Sequence, residues 1–508
     1  MHYYKFLLIF ACCLSVNAVC EDAFSYKYVY KPRVYRFGFT RFYHDCTGFG
    51  TGFHSDRIRT LRFVDTQIIT CSDASLNITL NYTYAHQAPN HHLIIANSTF
   101  PVIVANSSLF RFHGFKKLTL SKIGIEDIEI GALEHVQSVQ DLNLSFNKLI
   151  TIPEEILNTL TELRILDVSN NRISDLSNAN FSNLVHLTHL TLAGNNIKDL
   201  HGNMFEGLVS LESIDISNNP LAKFEDVNFK SLMNFIARNT SLRTFDTDLS
   251  NFTLYSMDIS NSNLEIINFD KLPKIQFLEM KNTSLRQIQN LNKLHSQTTN
   301  LRHNVISTLD EIPANIKELD LSYNKIKRVK YTKQSQQKSI NTTSLNLAFN
   351  AISEIEPYVF GNLKLLRKLV VSNNNLEILH ENTIVDCPSL TIVDFSFNKI
   401  SHIKLRAFNM VPALSSLNLS HNKLKALNLD ILPRGNKVWS LYINNNEITN
   451  LDVEIFQDVF SNVNWITINH NPWSCKHWRN ILDSLQRRYI KINDVQHGKL
   501  YNSEGLSC

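Results

Sequence analysis

The chain lacks an excess of either charge, because 50 lysine and arginine residues oppose 46 aspartate and glutamate residues among 508, giving a net charge of +4. This balance gives no indication of a nucleic-acid partner. After the first residues, no stretch reaches the roughly 20 apolar residues that a helix needs to cross a bilayer, and no lipid-anchor tail is present. The sequence therefore predicts a protein with neither a membrane span nor a nucleic-acid ligand.

Catalytic and cofactor-binding motifs are also absent. The sequence has no GxSxG, HExxH, GxxxxGK[ST] or CxxC motif, and no GxGxxG motif follows a predicted strand. His91 and His92 are adjacent, but neighbouring residues of a strand point to opposite faces, and only His86 lies at ligand spacing. We therefore expect no enzyme, metal site or cofactor, and we expect function to reside in the protein surface.

A repeat dominates what the sequence does contain. Asn147, Asn171, Asn195 and Asn219 fall 24 residues apart, each within the frame Leu-x-Leu/Ile/Val-x-x-Asn-x-Leu/Ile. The frame returns with asparagine at Asn304, Asn324, Asn350, Asn374, Asn398, Asn422, Asn446 and Asn471. Four more turns carry Ile123, Thr240, Ser262 or Thr283 at this position, and an earlier turn can be read at Ser98. These sixteen turns in register predict an α/β fold, a leucine-rich-repeat solenoid of horseshoe form.

The repeat has a physical reason, since one short strand with its return segment cannot bury a leucine face until turns stack. The residues expected in the core of one turn are Leu166, Val168, Ile173 and Leu176. The side chain of Asn171 should pair buried backbone groups of adjacent turns, a role that threonine or serine can share but isoleucine cannot. A Phe-x-x-Leu element in the return segments predicts a second apolar spine at Phe181–Leu184, Phe229–Leu232 and Phe360–Leu363.

Strand residues that do not enter the core are expected to form a concave sheet surface. The position between the strand leucines often carries an acidic residue, which we interpret as a structural part of the repeat consensus and not as a binding group: Asp167, Asp215, Asp258, Glu279, Asp320 and Asp394. Just before the repeat asparagine stand ring-bearing residues, interrupted by Asn373: His303, Tyr323, Phe349, Phe397 and His421. Aromatic residues are enriched in binding hot spots, which makes this column a candidate partner-binding surface. The alternative is that these residue types are simply common at this position of the repeat and have no binding role.

The middle of the chain departs from the regular period. Repeat spacing falls to between 20 and 22 residues from 219 to 324, then reaches 26 before Asn350. In this region Arg238, Lys281 and Arg302 occupy strand positions usually held by serine, and Lys325 opens the basic run 325–333. The region 238–338 is therefore a candidate basic patch for an acidic partner surface, with a solvated lysine loop as the alternative.

The N-terminus indicates secretion. Lys5 precedes an apolar run at 6–14, and the small residues up to Ala18 fit a cleavage site, so we predict a signal peptide at 1–18. Glycosylation sequons agree with an extracellular location, at Asn77, Asn81, Asn97, Asn106, Asn180, Asn239, Asn251, Asn282 and Asn341. Two further sequons, at Asn143 and Asn418, belong to the strand motif itself and are weaker candidates.

Cysteine placement indicates two stapled caps. Cys46 and Cys71 bracket a segment before the repeats, and Cys475 and Cys508 bracket one after them. We predict disulfides Cys46–Cys71 and Cys475–Cys508, each closing a cap over one end of the core.

Two cysteines of the mature chain are left over. Cys387 fits a reduced, packed residue of a return segment. For Cys20 two readings stay open: it pairs with another molecule, or it lies in an unordered terminus.

The predicted layout is a signal peptide at 1–18, an extension at 19–45, an N-terminal cap at 46–92, repeats at 93–471 and a C-terminal cap at 472–508. Within the extension, aromatic and basic residues alternate with the period of a strand. It is read as a docking strand, as a binder of anionic sugar or membrane surface, or as an unordered terminus.

The caps and irregular repeats carry a resemblance to a known family. The signal peptide, the Cys46 and Cys71 cap, the short middle repeats and the ending NHNPWSCKHWR at 469–479 through EGLSC at 504–508 resemble the leucine-rich immune proteins of mosquitoes. The resemblance spans nearly the whole chain. The repeat motif itself is shared with Toll ectodomains and many secreted proteins. The resemblance to this particular family therefore rests on the sequence of the C-terminal cap and on the short middle repeats.

That resemblance implies a secreted binding protein of innate immunity, recognising or stabilising a complement-like thioester protein or a pathogen surface. Another leucine-rich immune protein is a second implied partner, joined by a disulfide. The chain looks like a coil-less or truncated member, because it stops at Cys508 where long members continue into a coiled coil. His477 also stands where a second cap cysteine often follows. An adhesion or developmental ligand, or a receptor-type ectodomain, is the alternative.

Mass mapping after partial proteolysis tests the caps. Each predicted disulfide closes a loop of about 25 to 35 residues and should contribute roughly 3 to 4 kcal/mol by the loop-entropy estimate. Peptides linking Cys46 to Cys71 and Cys475 to Cys508 are expected, and any other dominant pairing would contradict this arrangement.

Overall fold

A computed structural model describes fourteen stretches of the chain: 42–44, 60–64, 68–72, 91–96, 100–103, 115–177, 179–201, 204–225, 229–245, 253–309, 312–313, 315–330, 341–361 and 363–492. It divides into two compact units, Met1–Leu242 and Arg243–Cys508. The extension at 19–41, Cys20, Cys46, Ser98 and Cys508 lie outside the described residues.

The main sheet of the first unit begins antiparallel and continues parallel. Antiparallel pairing joins Phe42–His44, Thr60–Val64 and Ile68–Ser72. Parallel strands follow at His91–Ala96, Phe115–Thr119, Asp141–Asn143, Ile165–Asp167, His189–Thr191, Ser213–Asp215 and Asn234–Ile236. Return segments carry the strands Val102–Ile103, Asp127–Ile128, Asp199–His201 and Lys223–Glu225, the helix Glu154–Thr159 and short 3-10 turns at Glu134–Val136 and Phe181–Asn183.

The main sheet of the second unit is parallel throughout. Its strands are Thr253–Asp258, Lys274–Glu279, Ser296–Asn300, Ile316–Asp320, Ser344–Asn346, Lys368–Val370, Ile392–Asp394, Ser416–Asn418, Ser440–Tyr442, Trp465–Thr467 and Lys491–Ile492. Short parallel strands form a second layer at Thr244–Phe245, Ile266–Asn268, Gln287–Gln289, Arg328–Val329, Glu354–Ile355, Ile378–Leu379, Ile384–Val385, His402–Ile403 and Phe408–Asn409. The helices are Val453–Val459 and Cys475–Arg487, with 3-10 turns at Phe269–Lys271, Leu291–Lys293 and Leu429–Ile431. The predicted leucine-rich-repeat solenoid is confirmed.

Buried asparagines hold successive turns together, as the sequence predicts. In one turn the Nδ2 group of Asn398 donates to the carbonyl oxygens of Val371 at 3.0 Å and Phe395 at 3.1 Å. Its Oδ1 atom accepts from the backbone N–H of Leu376 at 3.1 Å. One side chain therefore satisfies backbone groups of its own turn and of the preceding turn, which would otherwise be buried without partners.

The replaced positions behave as their chemistry dictates. The hydroxyls of Thr240 and Ser262 donate to backbone carbonyls three residues earlier, at 3.3 and 2.7 Å. Thr283 differs, because its hydroxyl donates to Oδ1 of the next ladder residue, Asn304, at 2.5 Å and lies 3.5 Å from the carbonyl oxygen of Met280. Ile123 offers no donor, and its own backbone N–H donates to Asn147 Oδ1 at 3.1 Å.

Two apolar layers fill the space between the strands and the return segments. Leu166, Val168, Ile173 and Leu176 are all buried, which confirms the predicted core of this turn. Phe181, Phe205 and Phe229 stack along the return segments with centroid separations of 6.0 and 5.5 Å. This stack is the second spine that the Phe-x-x-Leu element predicts.

The helix Cys475–Arg487 covers the end of the second unit's core. Ser474 begins it by accepting a hydrogen bond from the backbone N–H of His477 at 3.3 Å. Trp478 and its apolar neighbours on the inner face are buried. Cys475 is disulfide-bonded, but its predicted partner Cys508 lies outside the described residues, and so does Cys46, the predicted partner of Cys71. Both pairings therefore stay predictions.

Cys387 is free and fully buried, as the sequence predicts. Its thiol lies 3.2 Å from the carbonyl oxygen of Phe360. Burial, with the negative charge of Asp386 beside it, raises the pKa of the thiol to about 12. The nucleophilic thiolate is therefore suppressed in the folded protein.

The asparagine network predicts the effect of one substitution. Asn398→Ala should leave buried backbone groups unpaired and lower the free energy of unfolding by about 1 to 3 kcal/mol. Lys399→Ala, at an exposed position of the same turn, is the control and should change it by under about 0.5 kcal/mol. The measurement is urea denaturation of both variants. Equal stabilities would contradict the structural role of the ladder.

The state of Cys387 predicts slow alkylation. At mildly alkaline pH, iodoacetamide should leave Cys387 unmodified in native protein and modify it readily in urea, because its raised pKa keeps the folded thiol neutral. Quantitative mass spectrometry of the Cys387 peptide measures both rates. Similar rates in the two conditions would show that this thiol is not protected.

Candidate protein-interaction surface

The acidic residues between the strand leucines have a structural role, as predicted. Oδ1 of Asp320 accepts from the backbone N–H of Ser322 at 2.8 Å. The same bond joins Asp394 to Ser396 at 2.9 Å. These carboxylates order the turn that follows each strand, so they are poor candidates for partner recognition.

The position before each ladder residue has a backbone conformation that the sequence analysis did not anticipate. These residues have positive φ: Lys122, Phe146, Asn170, Gly194, Asn218, Asn239, Asn261, Asn282, His303, Tyr323, Phe349, Asn373, Phe397, His421, Asn445 and His470. Glycine and asparagine adopt this left-handed conformation most readily, and a bulky residue there carries strain. The repeated occurrence of asparagine at this position is the sequence feature from which the left-handed conformation could have been predicted.

Six ring-bearing residues occupy this strained position in the second unit, and one of them is His470. The other five are the predicted candidates, and we call them the ring column: His303, Tyr323, Phe349, Phe397 and His421. Ring centroids lie 4.3 Å apart for His303 and Tyr323, and 4.1 Å apart for Tyr323 and Phe349. Phe397 and His421 stack at 3.9 Å. The predicted column is therefore a stacked array in two segments, and Asn373 lies between them.

His303, Phe349 and Phe397 remain exposed although they stack, whereas Tyr323 and His421 are partly buried. Phe349 is 41% exposed and Phe397 is 49% exposed. Burial and the neighbouring His470 lower the pKa of His421, so its ring lies against Phe397 as neutral imidazole at physiological pH. The ring column is thus a partly exposed strip of rings with imidazoles at its ends.

The predicted basic residues are not all equivalent. The guanidinium carbon of Arg302 lies 4.6 Å from the centre of the Tyr323 ring, so this cation packs against the ring column. Lys281 is exposed, but its Nζ lies 3.8 Å from Glu279, which offsets its charge. Lys325 is also exposed. Arg238 belongs to the first unit.

Phe146 offers an internal comparison. It occupies the equivalent left-handed position in the first unit and is 51% exposed. Lys122 Nζ lies 4.9 Å from the centre of its ring. Phe146 therefore has the backbone geometry, the exposure and the cationic neighbour of a ring-column residue, but stacks on no other ring among the described residues.

Several predicted glycosylation sites lie on the described surface. Asn180, Asn239, Asn282 and Asn341 are exposed, whereas Asn77, Asn81, Asn97, Asn106 and Asn251 lie outside the described residues. Asn143 and Asn418 each accept a hydrogen bond from the hydroxyl of their own sequon serine, at 2.7 Å.

Within the described ranges, no helix has the length and apolar character to cross a membrane. The same part of the chain contains no cluster of histidine, cysteine or acidic residues arranged to hold a metal ion.

Comparison with known proteins identifies the repeat. A leucine rich repeat family model matches residues 161–221 and 340–400. Transforming growth factor beta activator LRRC33 of Danio rerio is 29% identical over 142 residues, covering 27% of this chain and 20% of that protein. Tsukushi-A of Xenopus laevis is 34% identical over 99 residues, covering 20% of this chain and 28% of that protein. The chain thus spans under a third of the length of these curated relatives.

Solved structures share the fold at low identity. The Toll–Spatzle complex of Drosophila matches with a TM-score of 0.62 and 15% identity, covering 90% of this chain and 72% of that chain. The LRIM1/APL1C complex matches with a TM-score of 0.44 and 19% identity, covering 87% and 68%. The first likeness shows a common fold, and the second is too weak to support a closer relationship. The narrower resemblance to mosquito leucine-rich immune proteins stays a prediction.

Proposed function

We propose that this protein is a secreted leucine-rich-repeat binding protein that contacts a protein partner through the ring column and Arg302. The observation that carries the proposal is that rings at left-handed positions of successive turns stack on one another and stay partly open to solvent. Asparagine or glycine would meet the backbone requirement there without strain. Each ring therefore costs stability that the fold does not require.

The geometry of the column suits recognition. Stacking against a neighbour already restricts Tyr323 and Phe349, so less side-chain entropy remains to be lost on binding. Aromatic and arginine side chains supply much of the energy in protein interfaces. A preordered strip of rings flanked by one stacked arginine matches that composition.

The immune assignment rests on the sequence resemblance. A secreted protein of that family would recognise or stabilise a complement-like thioester protein, another leucine-rich immune protein or a pathogen surface. The predicted signal peptide and the exposed sequon residues Asn180, Asn239, Asn282 and Asn341 support an extracellular location.

A second candidate is an extracellular adhesion or developmental ligand, or a receptor-type ectodomain. It is favoured by the local similarity to a protein named for activating transforming growth factor beta. Induction of the transcript by infection distinguishes the two candidates, because the immune reading requires it and the developmental reading does not.

The proposal predicts separate kinetic roles for rings and charges. With a partner captured from extracellular fluid, Tyr323→Ala and Phe349→Ala should each weaken a hot spot by about 2 kcal/mol, speeding dissociation roughly 30-fold. Surface plasmon resonance measures the rates. The control is Phe146→Ala, which should leave both rates unchanged.

Arg302 and Lys325 should act mainly on association. The double variant Arg302→Ala/Lys325→Ala should slow association severalfold, and the difference should shrink at high salt, because exposed charges are screened beyond about 8 Å at physiological ionic strength. Arg302→Lys keeps the charge but loses the planar stack on Tyr323, so association should recover and dissociation should not. Unchanged association and dissociation rates in both the ring and the charge variants would show that the partner does not bind this surface.

A further inference from the structure

The interruption of the ring column by Asn373 has a geometric consequence. Rings on successive turns of this column stack 3.9 to 4.3 Å apart, slightly less than the spacing of about 4.8 Å between strands. Rings two turns apart, such as those of Phe349 and Phe397, should therefore be separated by roughly 8 Å. Asn373 occupies the turn between them with a shorter side chain, which leaves the outer parts of the two rings facing each other across a gap.

The exposure of the two rings agrees with such a gap. Phe349 is covered on one side by Tyr323 at 4.1 Å, and Phe397 on one side by His421 at 3.9 Å. Among the described residues, neither phenylalanine stacks on a ring across Asn373. They are 41% and 49% exposed, as expected for side chains with one face open. Each segment therefore ends in an uncovered π face directed along the column.

The floor of the gap is polar and unpaired. Most other asparagine side chains of the same column bond a neighbour, as Asn282 does with Asn261 at 2.9 Å and Asn445 with His421 at 3.3 Å, and Asn170 is an exception among the described residues. The carboxamide of Asn373 makes no hydrogen bond with the described residues, although it is partly buried. It therefore keeps a free donor and a free acceptor between two apolar walls.

We propose that this gap, which we call the ring slot, receives an aromatic side chain of the protein partner, a tryptophan or a tyrosine. A flat ring in van der Waals contact on both faces needs roughly 7 to 8 Å between the walls, because carbon atoms pack about 3.5 to 4.0 Å apart. The available separation fits one ring. An indole N–H or a phenol can bond the Asn373 carboxamide at the same time.

The ring slot rests on the proposed function, since its occupant belongs to the partner, but it can be tested without that partner. The probe is N-acetyl-tryptophanamide, with N-acetyl-leucinamide and N-acetylglucosamine as controls, in saturation-transfer difference NMR with the purified full chain. Transfer to the indole protons is expected, with little transfer to either control. No transfer to indole, or stronger transfer to the sugar, would overturn the proposal.

Substitutions then locate the signal. Asn373→Phe should fill the gap with a third ring and abolish transfer, whereas Asn373→Ala should keep the walls and weaken binding only about twofold. Phe397→Ala removes one wall and should weaken binding about fivefold to tenfold. Phe146→Ala should have no effect. Circular dichroism checks that each variant is folded. Transfer that persists in both Asn373→Phe and Phe397→Ala would place the indole elsewhere and overturn the assignment.

The two proposals fail differently. If indole shows no transfer while Tyr323→Ala still speeds dissociation of the partner, the ring slot is wrong and the ring column remains the interface. If indole binding requires the slot but Tyr323→Ala and Phe349→Ala leave the association and dissociation rates of the partner unchanged, that partner does not use the slot, and its proposed role in partner binding is wrong.

Discussion

A carboxamide that bonds two turns at once is the interaction on which this chain depends. The Nδ2 donor of Asn398 satisfies carbonyls of two successive turns, and its oxygen accepts an N–H of the preceding one. To place that side chain inward, the backbone turns sharply just before it, and the preceding residue is left with positive φ and, for rings such as Phe397, an exposed side chain. The ladder therefore sets the stability of the repeat and also creates a column of outward positions.

That column is where the sequence departs from what the backbone prefers. Asn218, Asn239 and Asn282 are the residues that the left-handed conformation favours, whereas Tyr323 and Phe349 carry strain there. Phe349 also exposes apolar surface. Strain at an exposed position is a reason to look for a partner, because neither packing nor the ladder requires the ring. The stacking of Arg302 on Tyr323 adds a cation to the same strip.

The fold was predictable from the sequence because its determinants are local and repeated. The spacing of Asn171 and Asn195 indicates the repeat period. Where Thr240 and Ser262 replace asparagine, their hydroxyls donate hydrogen bonds to backbone carbonyls. The ring-column residues could be identified from their position, but not their mutual stacking, which depends on side-chain rotamers. Pairing of Lys281 with Glu279 was missed for the same reason. The open faces of Phe349 and Phe397 depend on the length of one side chain, Asn373, which the sequence showed only as an interruption.

Site-specific photo-crosslinking tests the central claim most directly. Benzoylphenylalanine would replace either Phe349 or Phe146, two exposed residues with the same backbone conformation in different units, before incubation in the extracellular fluid and irradiation. The account predicts that position 349 forms a covalent adduct with one protein partner and that position 146 does not. Equal crosslinking at the two positions, or crosslinking at 146 alone, would contradict it.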